Sequence, residues 1–185
     1  MWDLDGVACL FVEGFYPRLR EWEDLTPTEW ETWHHYRTHG ISDQDFVKHL
    51  HTYAEEGGFG QQEPVPGFIK AVRDIHAAGH LQCVVTDRPQ IAAADTEWWI
   101  DTYAPEIKTI DIDRDKTVFK RHGGPTYYAI DDRVENVEAL RKAGVFAYLL
   151  RWPWNEQSDL PSVNTLEEFV DKVLRRDGKQ RPSQS

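Results

Sequence analysis

Hydrophobic and polar positions change period near Pro66. Downstream, short apolar runs alternate with longer segments whose apolar residues recur every three to four positions, the signatures of buried strands and amphipathic helices. The pattern predicts a helix over Gly67–Ala78 with Gly79 after its end, and a buried strand over Leu81–Thr86. It continues with a helix over Pro89–Tyr103, a strand over Ile107–Ile110 and a short helix starting at Asp115. A strand over Tyr127–Ile130, a helix over Val134–Ala143 stopped by Gly144, a strand over Val145–Leu150 and a helix over Thr165–Leu174 complete it. Strands alternating with helices imply crossover units and a parallel sheet flanked by helices, an α/β fold.

Upstream the pattern differs. Met1-Trp2 is a short apolar stub reaching Asp3-Leu4-Asp5-Gly6-Val7, and residues 13–64 read as helical and aromatic. Thr26-Pro27-Thr28-Glu29 has the form of a capping box with proline at the first helical position, predicting a helix to about His39, stopped by Gly40. Ser42 is placed to cap a second helix that Gly57-Gly58 ends, with Asp43 and Asp45 in its first turn.

Open α/β sheets bind ligands at the carboxyl ends of their strands, and there the polar residues form one set. Asp3 and Asp5 follow the first strand; alternate residues of an extended segment share a side, so the two carboxylates can converge. One can attack phosphorus while the other handles the proton of the leaving oxygen and of water. Thr86 ends the next strand, with helix-start amides suited to a phosphate oxygen. Lys116 follows the third and can neutralise gathered negative charge. Asp131-Asp132 follow the fourth; adjacent acids after an apolar strand are costly to bury without a cation, and Mg²⁺ takes a few carboxylate oxygens together with phosphate and water. Each feature alone reads equally as a helix cap or a solvated side chain. Their meeting on one edge points to a phosphoryl-transfer site.

Composition narrows the substrate. The net charge is −11 and the pI about 5.1, a surface that repels nucleic-acid backbones and anionic membranes but leaves a small phosphate ligand open. No apolar run approaches the ~20 residues of a membrane span. Met1-Trp2-Asp3 has neither the basic region nor the apolar stretch of a signal peptide. Cys9 and Cys83 lie in apolar surroundings without metal-ligand spacing and read as buried free thiols, which fits a cytoplasmic location.

On Asp3-Leu4-Asp5-Gly6-Val7, Thr86, Lys116 and Asp131-Asp132 the chain resembles the haloacid dehalogenase (HAD) superfamily of phosphatases. Within it the chain looks most like the 5′(3′)-deoxyribonucleotidases, on Asp5-Gly6-Val7 through Phe11 to Gly14-Phe15, on Glu63-Pro64-Val65-Pro66-Gly67 and on Arg114-Asp115-Lys116-Thr117. The resemblance implies a Rossmann-like core of residues 1–12 and 65–175 and a helical cap inserted over 13–64 after the first strand; the polar tail over 176–185 is expected to be flexible. It implies hydrolysis of nucleoside monophosphates through an aspartyl-phosphate on Asp3, with Asp5, Thr86 and Lys116 catalytic. Mg²⁺ is expected on the Asp3 carboxylate, the Asp5 carbonyl and Asp131, with Asp132 behind them. By family position Phe11, backed by Trp30 or Trp33, is expected to receive the base, and Arg88 and Arg114 to contact substrate. A homodimer is compatible with it.

Three points stand apart from the pattern. Only two residues precede Asp3, where the family has several, so the strand is expected either to begin upstream of Met1 or to weaken the edge of the sheet. Asp87, beside Thr86, is expected to point away from phosphate or pair with Arg88. His35 and His39 have a spacing that metals use, but no third ligand is apparent beside them or His34, and a solvated face is expected. Two other functions remain open: a polynucleotide 3′-phosphatase, which Ile130-Asp131-Asp132-Arg133 and Leu140-Arg141-Lys142-Ala143-Gly144 would also suit, and a non-catalytic binding protein on the same fold. The acidic surface disfavours the first and the intact set of motifs the second.

Overall fold

A computed structural model describes residues 1–26, 32–124 and 126–178. The N-terminal stub lies in the middle of the sheet. Trp2 pairs in parallel with Val84 on one side and Ile130 on the other. Its amide donates to the Cys83 carbonyl at 2.9 Å, and the Asp3 amide to the Ile130 carbonyl at 3.1 Å. The expectation of a weakened edge is therefore corrected: the stub lies inside the sheet, and both neighbours supply it with hydrogen bonds.

Outward on one side lie β1 (Cys83–Thr86) and β2 (Thr109–Ile112); on the other lie β3 (Tyr128–Asp131), β4 (Phe146–Leu150) and β5 (Ser162–Val163). All pairings between them are parallel. The short β5 has no counterpart in the sequence reading. Trp2, Val84, Ile130 and Leu150 face one side of the sheet. Met1, Val85, Ala129 and Leu149 face the other. This period-two alternation fixes the layers. The first face is covered by α3 (Phe68–Ala77), α4 (Ala93–Tyr103) and α6 (Leu166–Arg176), through Phe68, Val72, Trp99, Ile100, Phe169 and Val173. Trp2 meets Phe68 and Phe169 edge-on at 5.6 and 5.2 Å. The second face is covered by α5 (Val134–Lys142) and a 3₁₀ helix, Lys116–His122, through Val137, Leu140 and Phe119.

The described residues of 11–62 form an apolar cluster, which Ala92 joins, around α1 (Phe11–Glu23) and α2 (Asp43–Glu55), built on Phe11, Phe15, Leu19, Tyr36, Tyr53 and Phe59. They leave and rejoin the sheet side by side: the Leu10 amide donates to the Glu63 carbonyl and the Val65 amide to the Ala8 carbonyl, both at 2.8 Å. Ser42 caps α2 as expected, accepting from the Asp45 amide at 3.1 Å.

Several boundaries shift. Residues His35–His39 are 3₁₀ rather than α-helix, ending at Gly40 with φ +77°; the start expected at Pro27-Thr28-Glu29 lies outside the described residues. The first strand after α3 starts at Cys83, because Leu81 is 92% exposed. The strand expected at Ile107–Ile110 runs Thr109–Ile112 and holds a buried Asp111, whose oxygens take Arg121 and His122. A charged residue inside a strand interrupts the apolar run from which the reading was made. Both cysteines are buried free thiols.

Candidate active site

The chain turns sharply after Asp3. The Leu4 carbonyl takes the amides of Val7, Ala8 and Cys9, and Gly6 adopts φ +83°. At Gly6 a Cβ would collide with the Asp132 carboxylate, so only glycine lets the turn pass this close.

Around that turn the strand ends deliver Asp3, Asp131 and Asp132, each 5% exposed or less, with one oxygen apiece within 4.8 Å of the others. The Lys116 ammonium, itself 4% exposed, donates to Asp3 Oδ1 at 2.5 Å and to the Val85 carbonyl at 2.7 Å. A lysine in the first turn of a helix is ordinarily solvated; this one is drawn inward because Asp115 caps its 3₁₀ helix through the Thr117 amide, leaving Lys116 over the sheet. Asp131 accepts from the Arg133 amide at 2.9 Å and from Asn136 Nδ2 at 3.0 Å. Asp132 Oδ2 accepts from the Trp154 indole at 2.9 Å, and its carbonyl from Asn155 at 2.8 Å. Asp132 Oδ1 is buried with no hydrogen bond.

Three buried acids met by one ammonium disturb one another. Burial raises the Asp3 carboxyl against the pull of Lys116. Burial and the Asp3 charge push Asp131 up to about 7. Burial, then Asp131 and Asp3, hold Asp132 well above the carboxylate range. Burial works against the Lys116 ammonium, but Asp3 and Asp131 outweigh it and raise it. A divalent cation among these oxygens would relieve the repulsion and give the orphaned Asp132 oxygen a partner. The donor set, carboxylates with neither sulfur nor imidazole, suits Mg²⁺.

The other expected residues fall around this centre. Thr86 is buried, and its hydroxyl accepts from the Arg88 amide at 3.3 Å. Asp5 is turned toward Arg88, whose Nε reaches both of its oxygens at 3.1 Å and whose Nη2 reaches one at 2.7 Å. The Arg88 side chain is completely buried. It also donates to Gln62 at 2.6 Å and Thr96 at 3.2 Å, and lies over the Phe59 ring at 4.6 Å. Asp87 therefore does not pair with Arg88, as the sequence left open; it lies near Arg114 at 3.4 Å and Arg133 at 4.0 Å. Arg114 is 87% exposed.

Phe11 is buried between Phe15 at 5.1 Å and Phe59 at 6.4 Å, both near-parallel to it, and lies 6.1 Å from Trp33. Trp33 is half-buried, 6.3 Å from Trp154 and under the Arg133 guanidinium at 5.3 Å. Trp30 lies outside the described residues.

Sequence reasoning missed the segment after β4. Trp152 and Trp154 stack at 5.1 Å, and the Trp152 indole donates to the Gly6 carbonyl at 2.6 Å. Trp154 thus links Asp132 to Trp33. Replacing Trp154 by Phe removes the N–H that bonds Asp132 and leaves a smaller aromatic ring against Trp152 and Trp33. Groups that orient metal-ligating carboxylates typically carry 10–100-fold in metal affinity or activity, so Trp154→Phe is expected to raise the Mg²⁺ concentration for half-maximal activity by about tenfold. Melting temperature should stay near the parent's.

A parallel sheet with helices on both faces, whose central strand ends in an aspartate beside a buried lysine and two further acids, defines a phosphoric monoester hydrolase of the HAD superfamily. Solved structures share the fold. A protein of Clostridium acetobutylicum described as a predicted phosphatase superposes with a TM-score of 0.70 at 13% identity, covering 94% of this chain and 96% of that one. A haloacid dehalogenase-like hydrolase of Streptococcus pneumoniae gives 0.66 at 12% identity, covering 93% and 96%. A hydrolase of Pseudomonas syringae gives 0.63 at 15%, covering 93% and 95%. No curated protein matches. A family profile described as 5′ nucleotidase, deoxy (pyrimidine), cytosolic type C protein matches residues 1–174, and the chain belongs to that family. No helix among the described residues is long and apolar enough to cross a membrane.

Proposed function

We propose that this chain is a Mg²⁺-dependent phosphatase that hydrolyses nucleoside 5′-monophosphates, deoxyribonucleotides among them, through an aspartyl-phosphate on Asp3. The observation that carries the reading is the Asp3–Lys116 contact within a pocket of buried acids. It is joined by the family description, which names a pyrimidine deoxynucleotidase. Asp3, the Asp5 carbonyl and Asp131, with Asp132 behind, would hold Mg²⁺, which when bound would supply positive charge for the phosphate and for the acids.

Lys116 anchors Asp3 Oδ1, which leaves the other oxygen to attack phosphorus. The Asp3 oxygen–phosphorus bond forms as the phosphorus–O5′ bond breaks, and the proton for O5′ comes from Asp5. Water then attacks phosphorus, gives its proton to Asp5 and releases Asp3. For this Asp5 must exchange its Arg88 partner for the leaving oxygen. The Thr86 hydroxyl binds a phosphate oxygen, and Arg114 meets the substrate from the rim. Arg88 reaches the substrate only through Asp5.

In this reading residues 1–12 and 65–175 are the core, and residues 13–64 are a cap that closes over the edge. Trp33 receives the base, with Phe11 behind it and Trp154 opposite. The two free thiols and the family description support a cytoplasmic location.

Phosphate release across the nucleoside monophosphates, di- and triphosphates, sugar phosphates and a 3′-phosphorylated oligonucleotide tests the reading. Monophosphates should lead; faster release from the oligonucleotide would assign the chain to polynucleotide 3′-phosphatases, and no release from any would leave a binding protein. Base–aromatic stacking contributes roughly 1–3 kcal/mol. Trp33→Ala should therefore raise KM for the preferred nucleotide about tenfold or more while scarcely changing hydrolysis of acetyl phosphate, which carries no ring to stack. Equal losses on both would assign Trp33 to packing.

A further inference from the structure

An arginine follows each of β1 to β4 within two residues: Arg88, Arg114, Arg133 and Arg151. Arg88 gives its donors to Asp5, Gln62 and Thr96. Arg151 gives its own to the carbonyls of Asn155, Glu156 and Ser158. Arg114 stands in solvent. Arg133 follows neither course. Its side chain is 23% exposed, and among the described residues it makes no hydrogen bond. Its Nε is buried without a partner. The carboxylates of Asp87 and Glu135 stop at 4.0 Å, beyond hydrogen-bond reach. Shielding guanidinium donors from water without bonding them costs stability.

The backbone fixes where these donors go. The Arg133 amide donates to Asp131 at 2.9 Å, and its carbonyl accepts from the Val137 amide at 3.1 Å at the start of α5. The side chain therefore leaves the catalytic edge beside the acid pair and runs to Trp33, where the guanidinium lies 5.3 Å from the ring centre. Stacking on an indole holds the guanidinium plane and leaves its N–H edge for a ligand. One end of this path is the place of the phosphate; the other is the wall assigned to the base.

We propose that Arg133 is a specificity-determining residue, donating through its guanidinium fork to acceptor atoms on the edge of the base. The inference rests on the nucleotide reading of the site. The phosphate has its own partners at Asp3 and Thr86, so the acceptors left for Arg133 are those of the nucleoside. The fork lies at Trp33, with the base, and its planar donors match carbonyl oxygens and ring nitrogens lying in one plane. Stacking alone accepts any flat group; these donors favour one that carries acceptors. The substrate contact expected of Arg88 falls to Arg133.

The test crosses variants of the full chain with three substrates in Mg²⁺. Arg133→Met keeps an unbranched side chain beside Trp33 and removes the donors. The substrates are 2′-deoxyuridine 5′-monophosphate, matching the family description, its analogue with phenyl in place of uracil, and acetyl phosphate. The phenyl ring stacks but offers no acceptor. Arg133→Met should lower kcat/KM for the deoxyuridine nucleotide about ten- to hundredfold, chiefly through KM. It should scarcely change the other two. Arg133→Lys, which keeps the charge without the fork, should recover only part of the loss. Acetyl phosphate turnover shows that each variant is folded; if Arg133→Met is not, Arg133→Lys carries the same comparison. Equal losses on both nucleotides would make Arg133 a support for Trp33, and losses on all three would place its effect at the phosphate. Either result, or no loss on the deoxyuridine nucleotide, would overturn the proposal while leaving the nucleotide reading intact. A parent chain that hydrolyses acetyl phosphate but neither nucleotide would instead overturn that reading, and the role of Arg133 with it.

Discussion

Asp3→Asn should lower kcat by about 10⁴-fold or more while the folded chain becomes no less stable. Removing a nucleophile that acts as one unit with its partners costs on that order, and here a single change removes the attacking oxygen's charge and a metal-binding group together. The stability half of the result comes from burial. Asp3 sits within 4.8 Å of two other buried acids with Lys116 as their ammonium partner. The amide keeps the shape, can still accept from Lys116 and removes one of the charges that raise Asp131 and Asp132. Steady-state turnover and a denaturant melt on the same preparation measure both halves. Retention of more than a small fraction of kcat would remove Asp3 from the role of nucleophile.

Removing Mg²⁺ should abolish turnover and also make stability fall as pH rises. Asp131 is pushed up to about 7 by burial and the Asp3 charge, and burial raises Asp3 and Asp132 as well. Between the unfolded carboxylate value, ~3.9, and about 7, the metal-free folded state holds protons that the unfolded chain has released. Stability then decreases with pH across that window. Lys116 does not oppose this, because its raised ammonium stays charged throughout. The loss from pH 5 to 8 should be on the order of a few kcal/mol. Saturating Mg²⁺ should flatten the profile, since the ion replaces the protons. Chemical melts at several pH values, with and without Mg²⁺, measure it. A metal-free chain that gains stability over the same range, or full activity in excess EDTA, would contradict an acidic Mg²⁺ site.

The candidate site was legible in position because its residues follow the strands directly. Asp3, Thr86 and Asp131 are fixed by backbone register, which apolar runs reveal. Lys116 was legible in position but not in burial, because its inward turn depends on the Asp115 cap and on the charge of Asp3 from a distant part of the chain. Trp152 and Trp154 follow β4 by the same strand-end rule, and were missed because tryptophan carries no catalytic signal until its N–H is seen on an acid or a carbonyl. Arg88 was expected to face substrate. Its long side chain instead runs beneath the edge to Asp5, Gln62 and Phe59, a path that spacing does not encode. Tyr16 was invisible as a partner of His35 and His39 for the same reason: the three meet only where α1 packs against the His35–His39 turn, and His35 is buried there rather than solvated as expected.

An aspartyl-phosphate on Asp3 is the central claim, and acid-quenched single turnover with a nucleoside monophosphate labelled in its phosphate tests it most directly. The experiment is run on the parent and, with 4-nitrophenyl phosphate labelled likewise, on both the parent and Asp5→Asn; nitrophenolate leaves without a proton from Asp5, so the variant then slows only the water attack on the intermediate. The account predicts protein-bound label that is discharged by hydroxylamine, maps to the peptide containing Asp3, accumulates further in Asp5→Asn and vanishes in Asp3→Asn. Label on any other residue, or phosphate release from both proteins with no protein-bound label at any quench time, would contradict it.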